Sequence, residues 1–166
     1  MSDWFATYGF AEVHDDLLIG AYPLDAEDVG RLQARSVARV LNLVEDQEYP
    51  AGQRSVIEAA LRHAEIDEHR MSLTDFGGLP ADRLEPAVQT VVGWMREGAV
   101  TYVHCRAGWQ RCAAVAAGAV AVHNGLGIDD ALRSVHERKP TADPLPHQRE
   151  DLRHWWMVRS GLHPRR

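Results

Sequence analysis

The sequence predicts an α/β fold, a mostly parallel sheet of about four to five strands flanked by helices on both faces. Three observations carry that expectation. Short β-branched, apolar runs alternate with stretches of helical periodicity along the whole chain, the order expected of strands joined by crossover helices. Residues 37–44 and 100–103 are almost continuously apolar, as suits parallel strands covered on both sides. The second of these runs leads through a short loop directly into an alanine-rich stretch, 113–122. That strand-loop-helix junction is where α/β sheets place their sites.

The elements follow in order. Residues 1–16 carry Trp4, Phe5, Tyr8 and Phe10 without a clear period, which reads as an arm packed on the domain with at most a short strand. Residues 16–23 read as a strand stopped by Pro23. Asp25 is a good N-cap for a helix through about Gln33, with Leu24, Val29 and Leu32 on one side. The buried strand 37–44 and a break at 49–52 come next. Residues 55–63 follow as a helix presenting Val56, Ala59 and Ala60. Residues 66–72 alternate with polar positions, so they form a less buried strand. Residues 73–80 mix Gly and Pro and predict a mobile loop. Residues 80–98 are the clearest amphipathic helix, with Leu84, Val88, Val91, Val92 and Met95 at helical spacing and Asp82 at its positive end. After the strand at 100–103 come a helix over 111–124 ended by Gly125 and a helix bearing Ile128, Ala131, Leu132 and Val135 that stops before Pro140. A last helix over 147–162 would bury Leu152, Trp155, Trp156 and Val158.

Length sets a further bound. One domain spanning residues 1–166 is the prior for a chain of 166 residues, and a core of that size needs no disulfide or metal. A formal net charge of −6 argues against general nucleic-acid affinity, so any phosphate site is a local positive spot on an acidic protein. The two cysteines, Cys105 and Cys112, lie seven residues apart, which excludes a secreted disulfide scaffold. No apolar run reaches the length of a membrane span, and residues 1–10 lack the pattern of a signal peptide. The expectation is a cytoplasmic protein. Arginine outnumbers lysine 17 to 1, Lys139 being the single lysine, a bias that points to a GC-rich bacterial genome. The nine histidines show no metal-ligand spacing.

The chemistry concentrates in His104-Cys105-Arg106-Ala107-Gly108-Trp109-Gln110-Arg111. A loop that opens a helix points its N–H groups at one spot on the positive end of the helix dipole, which suits an oxyanion. The same groups, with Arg111, stabilise a Cys105 thiolate. Cysteine, glycine three residues on and arginine six residues on, with histidine before the cysteine, resemble the signature loop of the cysteine-based protein tyrosine phosphatases. The order 17–23, helix, 37–43 is similar to the start of the small, atypical dual-specificity members of that superfamily. In that family the acid is an aspartate about thirty residues before the cysteine. Asp75 stands at that distance in Thr74-Asp75-Phe76-Gly77-Gly78-Leu79-Pro80, with Asp82 as the alternative.

The resemblance implies a single catalytic domain that hydrolyses phosphomonoesters through a phosphocysteine, without metal or cofactor. Cys105 is the expected nucleophile, Arg111 the oxyanion clamp and Asp75 the general acid. Arg106, Ala107, Gly108, Trp109, Gln110 and Arg111 would bind the substrate. His104 would brace the loop, Cys112 would stand where the family has a serine or threonine hydroxyl, and Gln148 would place the hydrolytic water. The expected substrate is a phosphorylated protein, a phosphoinositide or another small phosphomonoester. A rhodanese-type sulfurtransferase and a phospho-binding module with a weak or dead catalytic centre are the alternatives. Cys112 in place of the hydroxyl residue and Gln110 in place of a common glycine depart from the family pattern and bear on turnover.

Overall fold

The computed structural model describes residues 1–161. Five strands form one sheet in the order β1-β2-β5-β3-β4. They are β1 (Phe10–His14), β2 (Leu17–Gly20), β3 (Arg39–Asn42), β4 (Asp67–Arg70) and β5 (Thr101–His104). Strand β5 is central, parallel to β2 on one side and to β3 on the other. Strand β4 adds in parallel at one edge, and β1 adds antiparallel at the other. All four residues of β5 are buried, whereas Asp67, His69 and Arg70 of β4 are exposed. The apolar and alternating sequence patterns correspond to central and edge positions.

Alternation along the strands divides the core. Leu17, Ile19, Leu41 and Val103 face a layer made by α4 (Ala81–Arg96), α5 (Arg111–Asn124), α6 (Ile128–Arg138) and α7 (Pro146–Arg159). Leu18, Val40 and Tyr102 face α2 (Ala26–Ala34) and α3 (Gln53–His63). Helix α5 is buried without interruption from Arg111 to Ala121, so it runs through the protein rather than over it. Its small residues make that possible: a Cβ on Gly118 would lie 2.8 Å from Val88 and 3.3 Å from Trp155. Gly125 ends the helix at φ 66°, a left-handed conformation that glycine adopts without strain. Asp25 caps α2 by accepting from the Asp28 N–H at 2.8 Å. Among the described residues, no single helix is long and apolar enough to cross a membrane.

Three expectations are corrected. The aromatic arm contains a helix, α1 (Asp3–Tyr8), capped by Ser2, whose hydroxyl accepts from the Phe5 N–H. Helix α3 buries Ile57 and Leu61 instead of Val56, Ala59 and Ala60. Two bulky side chains four residues apart bury more apolar area than a stripe of small ones, and Val56 is left 47% exposed. Helix α7 buries Leu152 and Trp155 but leaves Val158 61% exposed. The expected extension of that helix to Leu162 lies outside the described residues. Residues 73–80 form the expected loop, with hydrogen bonds to the rest of the protein at Leu73, Gly77 and Leu79.

Candidate active site

The C-terminal ends of β3, β4 and β5 open on one edge of the sheet, and the loops that follow them meet there. Cys105 comes immediately after β5 and is 3% exposed. It forms the base of a cleft of about 290 Å³ walled by Trp4, Tyr8, Asp75, Phe76 and Trp109.

The loop behind Cys105 has one tolerated geometry. Gly108 adopts φ 77°, and a Cβ there would lie 2.5 Å from the Gly20 backbone. The position therefore excludes other residues by conformation and by contact. The loop is tied to β2 and its continuation, since Ala107 pairs with Ala21 and the Tyr22 N–H donates to the Arg106 carbonyl at 3.2 Å. The Trp4 indole N–H donates to the same carbonyl at 2.7 Å, and the Arg106 guanidinium lies over the Trp4 ring at 5.1 Å. Arg106 therefore stands at the mouth of the cleft with its charge facing an aromatic ring. Trp109 packs edge-on against Tyr8 and forms part of the wall. Gln110 occupies the N-cap of α5, with its side-chain oxygen buried and without a hydrogen-bond partner among the described residues.

These contacts decide the ionisation of Cys105. Burial alone would raise the Cys105 pKa. The Cys112 thiol donates to its sulfur at 3.4 Å, Arg111 adds positive charge, and the N–H groups of Cys112 and Gln110 point at it. Together these bring the pKa from 9.0 down to about 5, so Cys105 is a thiolate at neutral pH. Burial and the neighbouring Cys105 push the Cys112 thiol well above its usual range, so it remains protonated and able to donate. His104 is fully buried, and burial is the main reason its pKa falls to about 4. The neutral ring sets Nδ1 3.2 Å from the Cys105 carbonyl, bracing the start of the loop.

Arg111 is 1% exposed and is the hub of the site. Its guanidinium donates to the Leu73 carbonyl at 2.9 Å, to the Leu43 carbonyl at 3.3 Å and to both oxygens of Glu48, at 2.9 and 2.7 Å. Asp75 lies 3.2 Å from the same guanidinium. Burial would raise the Glu48 carboxyl, but Arg111 and the Glu45 N–H hold it below its usual range. A fork of this kind fixes the guanidinium plane.

Glu48 is the functional residue that sequence reasoning missed. It sits in the acidic run Glu45-Asp46-Gln47-Glu48, 63 positions from its partner, and no spacing rule singles it out. The cleft walls Trp4, Tyr8 and Phe76 were also not expected, because α1 was not. Asp82 lies in the first turn of α4, in a separate cleft with Met71 and Arg83, and not beside Cys105. Gln148 requires a correction. Its side chain is 0% exposed, its oxygen accepts from the Leu145 N–H at 3.0 Å and its amide donates to the Gly77 carbonyl at 3.0 Å. Both ends are engaged away from Cys105, and the side chain does not line its cleft.

No family model matches the chain. A mutant form of Tk-PTP superposes with a TM-score of 0.79 at 21% identity, covering 93% of this chain and 97% of that one. PTPMT1 in complex with PI(5)P superposes with a TM-score of 0.76 at 21% identity, covering 92% and 97%. The fold is that of the small dual-specificity phosphatases. Among curated proteins, the human phosphatidylglycerophosphatase and protein-tyrosine phosphatase 1 is 27% identical over 135 residues. Those residues are 80% of this chain and 63% of the relative, so the match spans less than two thirds of that protein's length. On the phosphatase fold, the arrangement of Cys105, Arg111 and Asp75 provides a thiolate, a planar two-point cation and a carboxyl group around one small volume.

Proposed function

We propose that this protein is a cysteine-dependent phosphomonoester hydrolase of the protein tyrosine and dual-specificity type, acting from one catalytic domain over residues 1–166. The observation that carries the reading is the Cys105 sulfur, held as a thiolate by two backbone N–H groups and a thiol beside the buried Arg111 fork. The phosphatase fold supports it. Cys105 attacks phosphorus in line, the P–O bond to the alcohol breaks, and phosphocysteine forms. Arg111 and the loop N–H groups hold the phosphoryl oxygens as their charge spreads. The incoming phosphoryl group takes over the guanidinium from Asp75, whose carboxylate takes up a proton from solvent as the ion pair breaks and passes it to the departing oxygen. Asp75 then removes a proton from the water that releases phosphate from Cys105. No metal is required, because the positive charge comes from Arg111 and the loop.

The walls formed by Trp4, Tyr8, Phe76 and Trp109 support monoesters whose alcohol portion is aromatic or apolar. Phosphotyrosine in a protein satisfies this, while a phosphoinositide, the ligand in one solved neighbour, would bring a polar inositol alcohol to the same walls. The mechanism needs reduced thiols, which favours a cytoplasmic setting. A sulfurtransferase would have no use for Asp75 beside Arg111. The test is rapid-mixing hydrolysis of an aryl phosphate, with mass detection of phosphocysteine. A burst of alcohol release and a phosphorylated Cys105 peptide are expected in the parent, and neither in Cys105→Ser. Hydrolysis retained by Cys105→Ser would rule out the covalent route.

A further inference from the structure

The loop that carries Asp75 is held by a helix more than seventy residues later in the chain. The Phe76 and Gly77 carbonyls lie 3.0 and 3.2 Å from Nε2 of His147, which therefore carries its proton on that nitrogen. The Gln148 amide donates to the Gly77 carbonyl at 3.0 Å, and the Leu79 N–H donates to the Asp151 carboxylate at 2.8 Å. His147, Gln148 and Asp151 all belong to the first two turns of α7. The fit is close: a Cβ on Gly78 would lie 2.9 Å from the Asp151 carboxylate, and one on Gly77 2.9 Å from Thr74. At its other end the loop is fixed by the Leu73 carbonyl, which accepts from Arg111. Between these anchors Phe76 is in a left-handed conformation at φ 59° with its ring 65% exposed, a combination that an unconstrained loop would relax.

We propose that the start of α7 is a latch that sets the position of Asp75, with His147, Gln148 and Asp151 as positioning residues for proton transfer to the leaving oxygen. The proposal rests on the phosphatase reading. None of the three side chains forms part of the Cys105 cleft, so they act through the loop. A carboxyl group displaced by about an ångström no longer reaches the leaving oxygen, while the thiolate and the Arg111 fork are untouched. The loss therefore falls on esters whose alcohol leaves poorly.

The experiment compares phenyl phosphate with 4-nitrophenyl phosphate, two esters of similar size that differ in how much proton assistance their leaving groups need. His147→Ala and Asp151→Ala break the latch. His147→Gln keeps a donor and Asp151→Asn keeps an acceptor. His147 is exposed, so its substitution spares the core, and the rate of Cys105 alkylation monitors the integrity of the loop. In the Ala variants kcat/KM, which reports phosphoryl transfer to Cys105 and not the later hydrolysis common to both esters, should fall by about tenfold or more for phenyl phosphate, part of the ~10²–10⁴ that a general acid supplies. Loss on 4-nitrophenyl phosphate should stay within about threefold, and the conservative variants should recover most of the difference. Equal losses on both esters, or none on either, would overturn the latch while leaving the phosphatase reading intact. A parent that hydrolyses neither ester would remove that reading, and the latch with it.

Discussion

Replacing Cys112 isolates one support of the nucleophile. The Cys105 pKa of about 5, against 9.0 for an ordinary thiol, corresponds to about 5 kcal/mol of preference for the charged form, at 1.36 kcal/mol per pH unit. The Cys112 thiol, 3.4 Å away and held protonated, is one of the donors. Hydrogen bonds to charged groups contribute about 1.5–3 kcal/mol, and a thiol is a weak donor, so the lower figure applies. Cys112→Ala should therefore raise the midpoint of Cys105 ionisation to about 6. Cys112→Ser supplies a stronger donor and should leave it at or below about 5. The assay is the rate of iodoacetamide alkylation across pH, with the modified residue identified by mass. Protein stability should follow the same ionisation. The folded pKa lies below the unfolded one, so the contribution is complete above about 9 and is lost as pH falls through about 5. The denaturation midpoint of the parent should drop over that window, and less steeply in Cys112→Ala. An unchanged midpoint in Cys112→Ala would refute the assigned role of this thiol, and a parent midpoint near 9 would refute the cradle itself.

Asp75→Asn should lower kcat/KM by about 10²–10⁴-fold on poor leaving groups and by less on good ones, and a larger effect from Asp82→Asn in steady-state assays would move the acid to α4. Glu48→Gln removes the buried carboxylate that grips both ends of the Arg111 fork, leaving that cation with Asp75 and the Cys105 thiolate, and should cost about 3 kcal/mol in denaturant titrations. Phosphate or vanadate should restore more stability to that variant than to the parent. Activity should persist in EDTA and be lost with orthovanadate, and dependence on added divalent metal in a chelator-washed sample would contradict the role given to Arg111.

The part of the site carried by local spacing was legible before any coordinates. Cys105, Gly108 and Arg111 lie within one turn of chain, and each is tied to a strand end or a helix start that composition marks. Asp75 was reachable because the resemblance implies an acid about thirty residues before the cysteine, and a Gly/Pro loop stands at that distance. Glu48 was not, since its role depends on where a 3-10 turn at Asp46–Glu48 falls relative to α5. Gln148 was found by position but given the wrong partner, because the Gly77 carbonyl it binds is set by tertiary packing. The sheet could be read from its apolar runs, whereas α1 could not: six residues are too few to establish a period. In α3, the choice between small and bulky residues was decided by depth of burial, which a pattern alone does not supply.

The strand order bears on when this protein becomes reactive during its synthesis. Strands β1 and β2 form a local hairpin, and β3 and β4 form a local pair, but only β5 joins the two halves. Leu17 waits for Thr101 and Gly20 for His104. At about 5–20 residues per second on the ribosome, the first hairpin stands for several seconds with one edge open, a period in which a chaperone would find it. The residue that follows the closing strand is Cys105. Its sulfur gains the Gln110 and Cys112 N–H groups and the Arg111 charge only once that strand is in place. Before then it is an ordinary thiol, slow to oxidise, so the nascent chain is protected from damage at the atom it most needs to keep.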